Sequence, residues 1–331
     1  MKIMVYEARP DERADLEKQA ALHGVELSVT DAVPTLENAS LAAGCIGVSI
    51  LGQGCIDAAL LDPYHALGIR YLSTRTIGYD HIDLDHARSI GLRVCSASYA
   101  PNGVADFTVM MILMCLRHYK QALWRGQVND FSLTGLQGRE MKDLTIGIIG
   151  TGRIGAQVVR NLSGFGCRIL AYDLRRNPAV EPQVTYVDFD TLLAQSDVIT
   201  LHMPLLDSNR HIINRESVAK MRDGVVIVNC SRGELADIEA LIEGIETGKI
   251  GALGMDTVEG DEGIIHADHR VDILPNRNWF YLHQFRNVIM TQHMAFYTDA
   301  AVSSMVDCGI GGICQMAAGE SCPTELTGPV Q

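Results

Sequence analysis

Short apolar runs alternate with helix-like stretches along most of the chain. In the first hundred residues the apolar runs are KIMVY (2–6), CIGVSIL (45–51), RYLSTRT (70–76) and LRVCSA (92–97). The segments between them, such as ERADLEKQAALHG and AALLDPYHALG, have the length and composition of helices. This alternation is typical of parallel sheets with helical crossovers, so we predict an α/β fold.

A second α/β series begins at Leu144. Its predicted strands are LTIGIIG (144–150), CRILAYD (167–173), DVITLHMP (197–204), VVIVNCS (225–231), IGALGMDT (250–257) and VIMTQH (288–293). Six strands with crossover helices match a complete dinucleotide-binding sheet. Before this series, residues 102–126 predict one long buried helix, and after it residues 299–319 predict a last helix with no strand following.

Length and composition favour a two-domain globular protein. The chain has 331 residues, 47% of them apolar and 20% charged, which is enough for two cores and argues against disorder. The net charge of −13 argues against nucleic acid or an anionic membrane as the main partner. A small substrate stays possible because the local charge of a cleft can oppose the net charge.

We expect a cytoplasmic protein without a metal site. The N-terminal run is followed at once by charges, unlike a signal peptide, and VMMILMCL (109–116) is far shorter than the roughly 20 residues of a membrane span. The nine cysteines show neither a C-x-x-C pair nor a zinc spacing, which indicates reduced thiols.

The glycine motif GTGRIG follows a predicted strand and opens a predicted helix. Gly150 would allow the tight turn, Gly152 would let the backbone approach a pyrophosphate, and Gly155 would let the helix pack close to the sheet. The N–H groups at the start of that helix would face the phosphates. We therefore predict a dinucleotide site.

Asp173 ends the next predicted strand, about 20 residues after the motif, where a carboxylate accepts hydrogen bonds from the ribose hydroxyls. This position favours NAD over NADP. Arg175 and Arg176 follow and would tolerate a 2′-phosphate, but Asp173 is closer and would repel it, so we interpret both arginines as a solvated loop.

Polar side chains stand at or just past the ends of three later strands, where ligands bind in open α/β sheets. Arg232 follows VVIVNCS, Asp256 ends IGALGMD, and His293 ends VIMTQH. A guanidinium offers a planar fork for a carboxylate, and a histidine paired with a carboxylate acts as a general acid. Together the three indicate hydride transfer to a 2-oxo acid, although each alone is more often structural.

These residues lie in motifs that resemble the D-isomer-specific 2-hydroxyacid dehydrogenase family. The motifs are STRTIGYDHID (73–83), SYAPNGVAD (98–106), GIIGTGRIG (147–155), NCSRGEL (229–235), MDTVEGDE (255–262) and TQHMAFYT (291–298). The resemblance covers nearly the whole chain. It points to the branch that contains D-lactate, phenyllactate and 2-hydroxyisocaproate dehydrogenases.

The resemblance implies a fold and an assembly. A Rossmann-type NAD-binding domain, residues 101–296, would be inserted in a discontinuous, flavodoxin-like substrate domain of residues 1–100 plus 297–331. That insertion explains why the glycine motif lies in the middle of the chain. The family also implies a homodimer packed through the 102–126 helix and an active site in a cleft that closes to exclude water.

The resemblance also assigns roles by motif. Arg232 would bind the substrate carboxylate and His293 would be the acid/base. The cofactor would be held by Gly150, Gly152, Arg153, Ile154, Gly155, Asp173, Met203, Pro204, Asn209, Cys230, Ser231 and Asp256. The substrate would contact Gly52, Ile77, Gly78, Tyr99 and Tyr297, with Ile77 and Gly78 offering backbone N–H groups.

One departure concerns the partner of His293. The family usually has a glutamate five residues after the aspartate of MDTVEGDE, and this chain has Asp261 there, one methylene shorter, with Glu262 next to it. The register favours Asp261, and a local shift of the loop would favour Glu262. Without either carboxylate, the pKa of His293 would fall toward its free value.

The identity of the 2-oxo acid stays open. The loop Leu51-Gly52-Gln53-Gly54 should line the pocket, and its two glycines either make room for a side chain larger than methyl or only shape the turn. Pyruvate and phenylpyruvate are therefore both candidates. One alternative is a catalytically weak NAD-sensing corepressor, which NADH turnover with a 2-oxo acid would discriminate. Another is a phosphoglycerate or formate dehydrogenase, but a phosphorylated substrate would require extra basic residues, and the N-terminal loops show none.

Overall fold

The computed structural model describes residues 1–328, which fold as two compact units. One unit comprises Met1–Ala100 together with the segment from Tyr297 onward, and the other comprises Pro101–Phe296. The first unit is therefore discontinuous in sequence, with the second inserted after Ala100.

The first unit is built on a five-stranded parallel sheet. Its strands are β1 (Lys2–Val5), β2 (Glu26–Val29), β3 (Gly47–Ile50), β4 (Tyr71–Thr74) and β5 (Arg93–Cys95). Their order, β2-β1-β3-β4-β5, is that of flavodoxin-like folds. The apolar pattern predicted four of these strands. It missed the edge strand β2 because ELSV buries no residue fully and has no apolar run.

Helices cover both faces of this sheet. They are α1 (Arg13–His23), α2 (Ala58–Ala66), α3 (Leu84–Ser89) and α11 (Asp299–Ala317). Side chains alternate along β1, so Ile3 and Val5 pack in the core with α1 and α11, while Met4 packs in the core with α2 on the other face.

Helix α11 is apolar enough and long enough to cross a membrane by length and composition alone. Half of that stretch is buried inside the unit, and Val306, Ile310 and Ile313 have no exposed surface. The helix therefore serves as the core helix of the first unit, which explains its apolar composition.

The second unit is built on a seven-stranded parallel sheet. Its strands are β6 (Thr145–Ile149), β7 (Arg168–Tyr172), β8 (Thr185–Tyr186), β9 (Val198–Leu201), β10 (Val225–Asn229), β11 (Ile250–Met255) and β12 (Val288–Met290). The order is β12-β11-β10-β9-β6-β7-β8, the doubly wound arrangement with one added edge strand. Six of the strands were predicted. The two-residue β8 was missed because it is too short to leave a pattern.

The helices of the second unit are α4 (Asn102–Leu116), α5 (Tyr119–Gln127), α6 (Arg153–Ser163), α7 (Phe189–Gln195), α8 (Arg215–Lys220), α9 (Ile238–Glu246) and α10 (Arg277–His283). The prediction of one helix over 102–126 was wrong, because the chain breaks at His118, which has a left-handed φ of 51°. There the carbonyl of Leu116 accepts a hydrogen bond from the N–H of Arg139 at 3.1 Å. Of the two helices that replace the predicted one, α4 contains fully buried side chains and α5 contains none.

Candidate functional site

The carboxyl edge of the seven-stranded sheet collects most of the predicted site residues of the second unit. Five neighbouring strands end in register at Ile149, Leu201, Asn229, Met255 and Met290. The next residues along the chain are Gly150, His202, Cys230, Asp256 and Thr291. Strand order reverses between β6 and β9, which is where open α/β sheets bind ligands.

The geometry explains, for a different reason at each position, why the motif has glycine there. Gly150 has a φ of 93°, which only glycine adopts readily. A Cβ on Gly155 would lie 2.0 Å from the carbonyl oxygen of Gly150, so the start of α6 packs directly on the turn. A Cβ on Gly152 would meet nothing within 4 Å, so the backbone there faces open space. This open strip of backbone at the start of a helix fits a pyrophosphate.

Asp173 is anchored beside the glycine turn. One carboxylate oxygen accepts from the N–H of Thr151 at 2.6 Å and from its hydroxyl at 3.1 Å, and the other accepts from the N–H of Arg175 at 2.9 Å. Tyr186 donates to the Thr151 hydroxyl at 2.9 Å. The guanidinium of Arg176 lies over the Tyr186 ring at 5.4 Å. The carboxylate has acceptor capacity left for a ribose hydroxyl.

The segment after β9 carries Met203, Pro204 and Asn209. The Asn209 amide donates to the carbonyl of Pro204 at 2.8 Å and accepts from the N–H of Leu206 at 2.8 Å, so these two hydrogen bonds close the loop. His202 precedes them and is half-buried, and desolvation of its ring lowers its pKa to about 3. The imidazole is therefore neutral and packs as part of the turn.

The loop after β10 places Arg232. The Ser231 hydroxyl donates to the carbonyl of Met203 at 2.6 Å, which joins this loop to the one after β9. The Asn229 amide donates to the carbonyl of Arg232 at 2.7 Å, and the half-buried guanidinium donates to the carbonyl of Ser231 at 3.0 Å. Burial raises the pKa of the Cys230 thiol, and the nearby Asp256 carboxylate adds to the shift. Cys230 is thus a thiol rather than a nucleophilic thiolate.

Asp256 is buried and holds the loop that carries His293. One carboxylate oxygen accepts from the Thr291 hydroxyl at 2.6 Å and from the N–H of Met294 at 2.8 Å, and the other accepts from the N–H of Ala295 at 2.8 Å. His293 itself has a left-handed φ of 52°. Asp256 was predicted to line the cofactor site, and its hydrogen bonds show that it also holds the histidine loop in position.

The ring of His293 lies in an aromatic surround. The ring centroid is 6.1 Å from that of His266 and 6.2 Å from that of Phe296. The backbone carbonyl of His293 accepts a hydrogen bond from the His266 ring at 3.3 Å. The half-buried ring keeps part of its surface open to solvent. Sequence reasoning missed His266, since nothing in its spacing sets it apart from the other histidines.

Asp261 and Glu262 differ in environment. Asp261 is half-buried, its carboxylate accepts from the N–H of Val258 at 3.1 Å, and burial raises its pKa to about 6. The neighbouring carboxylates, including that of Glu262, add to the rise. Glu262 is exposed. The protected position of Asp261 favours it as the partner of His293, which stays a prediction.

The predicted substrate residues belong to the first unit. The Thr76 hydroxyl donates to the carbonyl of Gly78 at 2.6 Å, which shapes the turn that carries Ile77. Tyr99 is half-buried, and Tyr297 lies under the guanidinium of Arg9 at 5.0 Å.

The backbone angles and close neighbours of the 51–54 loop explain both of its glycines. Gly52 has a φ of 89°, and a Cβ there would lie 2.9 Å from the His81 ring, while a Cβ on Gly54 would lie 2.8 Å from Val33. The glycines therefore shape the turn, and their presence does not argue for a large substrate. Glu7, whose buried carboxylate holds this loop, was not predicted from the sequence.

Comparison with known proteins agrees with this geometry. Residues 109–295 match the family model described as the NAD-binding domain of D-isomer-specific 2-hydroxyacid dehydrogenases. The chain is 42% identical to the aromatic 2-oxoacid reductase of Clostridium sporogenes over 93% of each chain. It is 36% identical to the D-lactate dehydrogenase of Escherichia coli, over 98% of this chain and all of the other.

A solved structure extends the likeness to the cofactor. The NAD-complexed D-isomer-specific 2-hydroxyacid dehydrogenase of Lactobacillus delbrueckii superposes with a TM-score of 0.84 at 30% identity, covering 98% of this chain and all of that one. The predictions of the family, of the two-domain Rossmann fold and of NAD as cofactor are confirmed. The chain belongs to the D-isomer-specific 2-hydroxyacid dehydrogenase family and is an NAD-dependent 2-hydroxyacid dehydrogenase.

Proposed function

We propose that the protein reduces a 2-oxo acid to the D-2-hydroxy acid, with Arg232 binding the substrate carboxylate and His293 exchanging the proton. The observation that carries this proposal is the shared sheet edge. Arg232 follows β10 and His293 follows β12, at the same edge as the glycine turn. Bound NADH supplies the hydride that adds to the carbonyl carbon.

Arg232 suits the carboxylate because its guanidinium presents a planar fork of donors. Its backbone is fixed on the C-terminal side, by the Asn229 amide at its carbonyl and by Gly233, where a Cβ would lie 2.3 Å from the carbonyl carbon of Val258. A fixed backbone reduces the conformational entropy that is lost when the substrate binds.

His293 would deliver the proton to the carbonyl oxygen as the hydride adds, and would take it back from the hydroxyl in the reverse direction. Asp261 would favour the imidazolium and hold the ring in position, as a carboxylate does beside a catalytic histidine. The balanced reaction consumes the 2-oxo acid, NADH and one proton, and yields the 2-hydroxy acid and NAD⁺.

The substrate is a 2-oxo acid whose side chain is either methyl, as in pyruvate, or larger, as in phenylpyruvate. The relatives carry both activities in their names, an aromatic 2-oxoacid reductase and a D-lactate dehydrogenase. The glycines of the 51–54 loop do not discriminate between the two, because each is required by its own turn or neighbour.

The test is NADH oxidation by the purified protein with pyruvate, 2-oxoisocaproate and phenylpyruvate, with NADPH as the cofactor control. His293→Gln should lower kcat by about 10²–10⁴-fold, the contribution of a general acid, while leaving NADH binding intact. Chiral separation of the product should give the D-isomer. NADH binding without turnover of any of the three acids would contradict the proposal and favour an NAD-sensing protein.

We also propose a homodimer formed through the second unit. An apolar groove between α4 and α6 is lined by Val109, Met110, Leu113, Met114 and Phe165. Met110 and Phe165 remain 41% and 39% exposed and lie in the same groove, so they form a contiguous apolar patch of the kind that another protein surface covers. A second copy of the chain is the expected occupant. Light scattering should give a dimer mass that Met110→Glu lowers to that of a monomer.

A cytoplasmic location is part of this proposal. All nine cysteines are free thiols in the described part of the chain, and five of them are buried as small core residues. Reduced thiols at such positions are typical of a reducing compartment. Fractionation of cells that express the protein should recover the activity with the cytoplasm.

A further inference from the structure

Glu7 is a charged residue in an unusual backbone position. It follows β1, has a left-handed φ of 55°, and is only 3% exposed. Its N–H donates to the carbonyl of Ala32 at 3.1 Å, and its carbonyl accepts from the Arg75 guanidinium at 3.2 Å. A strained position persists only where the surroundings fix it, and here the backbone is held on both sides.

The carboxylate of Glu7 organises a loop more than forty residues away. One oxygen accepts hydrogen bonds from the N–H groups of Leu51 and Gly52, the latter at 2.9 Å, and the other accepts from Gln53 at 2.8 Å. Three consecutive N–H groups thus converge on one side chain. Hydrogen bonds to a charged acceptor are stronger than neutral ones, so the carboxylate fixes the path of the loop Leu51–Gln53.

This loop is in turn packed against the loop that carries Ile77 and Gly78. A Cβ on Gly52 would lie 2.9 Å from the His81 ring, so backbone and imidazole are in contact. The N–H of Ile56 donates to the carbonyl of His81 at 2.8 Å, and the ring of His81 lies 3.3 Å from the Thr74 hydroxyl. A displacement of Leu51–Gln53 would therefore reach the Ile77–Gly78 turn.

We propose that Glu7 is a specificity-determining positioning residue, which sets how large a 2-oxo acid side chain the enzyme accepts by fixing the loop Leu51–Gln53. The inference rests on the proposed function and deepens it. Glu7 does not touch the substrate and acts through the backbone of the loop. The loop follows β3 at the carboxyl edge of its parallel sheet, where open α/β sheets bind ligands. A fixed loop would therefore give firm contacts to an aryl or branched side chain, whereas the methyl of pyruvate would make few contacts to lose.

The experiment compares Glu7→Gln with Glu325→Gln in steady-state kinetics with pyruvate and with the bulkiest of the three acids that the wild type accepts. Glu325 is the matched control, because it is a half-buried carboxylate of the same unit that pairs with Arg93, and not with Arg75, which holds the carbonyl of Glu7. Glu7→Gln should raise KM for the bulky acid about tenfold, the loss of one charged hydrogen bond, and change KM for pyruvate less than threefold. Glu325→Gln should leave the ratio of the two KM values unchanged.

A second variant guards against misfolding. Glu7→Gly removes the carboxylate while accepting a φ of 55° without strain, so it should fold and shift the ratio in the same direction. The assignment would be overturned by an unchanged ratio of KM values in both Glu7 variants or by an equal shift in Glu325→Gln. Failure of both Glu7 variants to fold, or a wild type that accepts pyruvate alone, would overturn it as well. A wild type that turns over none of the acids would instead refute the proposed function.

Discussion

The carboxylate of Asp256 accepts a hydrogen bond from the backbone N–H of Met294 at 2.8 Å. Met294 is the neighbour of His293, whose φ of 52° is left-handed. Asp256 directly follows β11 and the histidine loop follows β12, so one buried carboxylate fixes the backbone of the proposed acid/base to the end of the adjacent strand. The position of the imidazole thus depends on a residue that sequence reasoning assigned to the cofactor.

Asp256→Asn should lower kcat by about tenfold or more, since an amide nitrogen would face the N–H of Met294 or Ala295 in place of an acceptor. An unsatisfied buried donor costs about 1–3 kcal/mol, so the free energy of unfolding should fall by a similar amount. Steady-state kinetics and urea denaturation measure the two effects. Thr291→Val removes only the hydroxyl donor and should cost about 1 kcal/mol, with a smaller change in kcat. Equal effects of the two variants would contradict this ranking.

The stability of the protein should depend on the protonation of Asp261. Burial raises its pKa to about 6, above the roughly 3.9 of an aspartate in an unfolded chain, so the folded state holds the proton more tightly. The contribution to stability is complete below about pH 4 and is lost as the pH rises through about 6. Asp261→Asn cannot ionise, so its Tm relative to the wild type should rise between pH 4 and pH 7.

Glu262→Gln is the matched control for the pH experiment, because Glu262 is the adjacent carboxylate and is exposed. Its Tm difference from the wild type should stay nearly constant over the same range. A constant difference for Asp261→Asn as well would refute the pKa assignment.

Features that depend on neighbouring residues could be predicted from the sequence, and features that depend on contacts between distant residues could not. The turn at Gly150 and the strands of the second sheet were predictable, since the apolar pattern and the glycine spacing are local. The break at His118 was not, because it depends on the carbonyl of Leu116 bonding to Arg139, more than twenty residues away. Glu7 was invisible for the same reason, because its donors lie 44 to 46 residues further along.

Asp173→Ser should weaken the preference for NADH. The carboxylate would accept a ribose hydroxyl and repel a 2′-phosphate, and serine does neither as strongly. KM for NADH should rise about tenfold, the loss of a hydrogen bond to a charged group, and the NADPH rate should increase. Asp223→Asn is the control, because it removes a carboxylate that pairs with Lys249 away from the glycine turn. It should change neither KM for NADH nor the rate with NADPH. An unaltered NADH-to-NADPH ratio in Asp173→Ser would exclude this role.

Alanine substitutions at Gly155 and Gly152 should have different effects, the first on folding stability and the second on cofactor binding. In Gly155→Ala the new Cβ would lie 2.0 Å from the Gly150 carbonyl oxygen, and backbone cannot yield cheaply, so the free energy of unfolding should fall by about 3 kcal/mol. In Gly152→Ala the Cβ meets nothing within 4 Å, so stability should change by less than about 1 kcal/mol. That methyl would occupy the space a pyrophosphate needs, so the Kd for NADH should rise about tenfold or more. Urea denaturation without cofactor and fluorescence titration with NADH measure the two effects, and wild-type affinity in Gly152→Ala would place the pyrophosphate elsewhere.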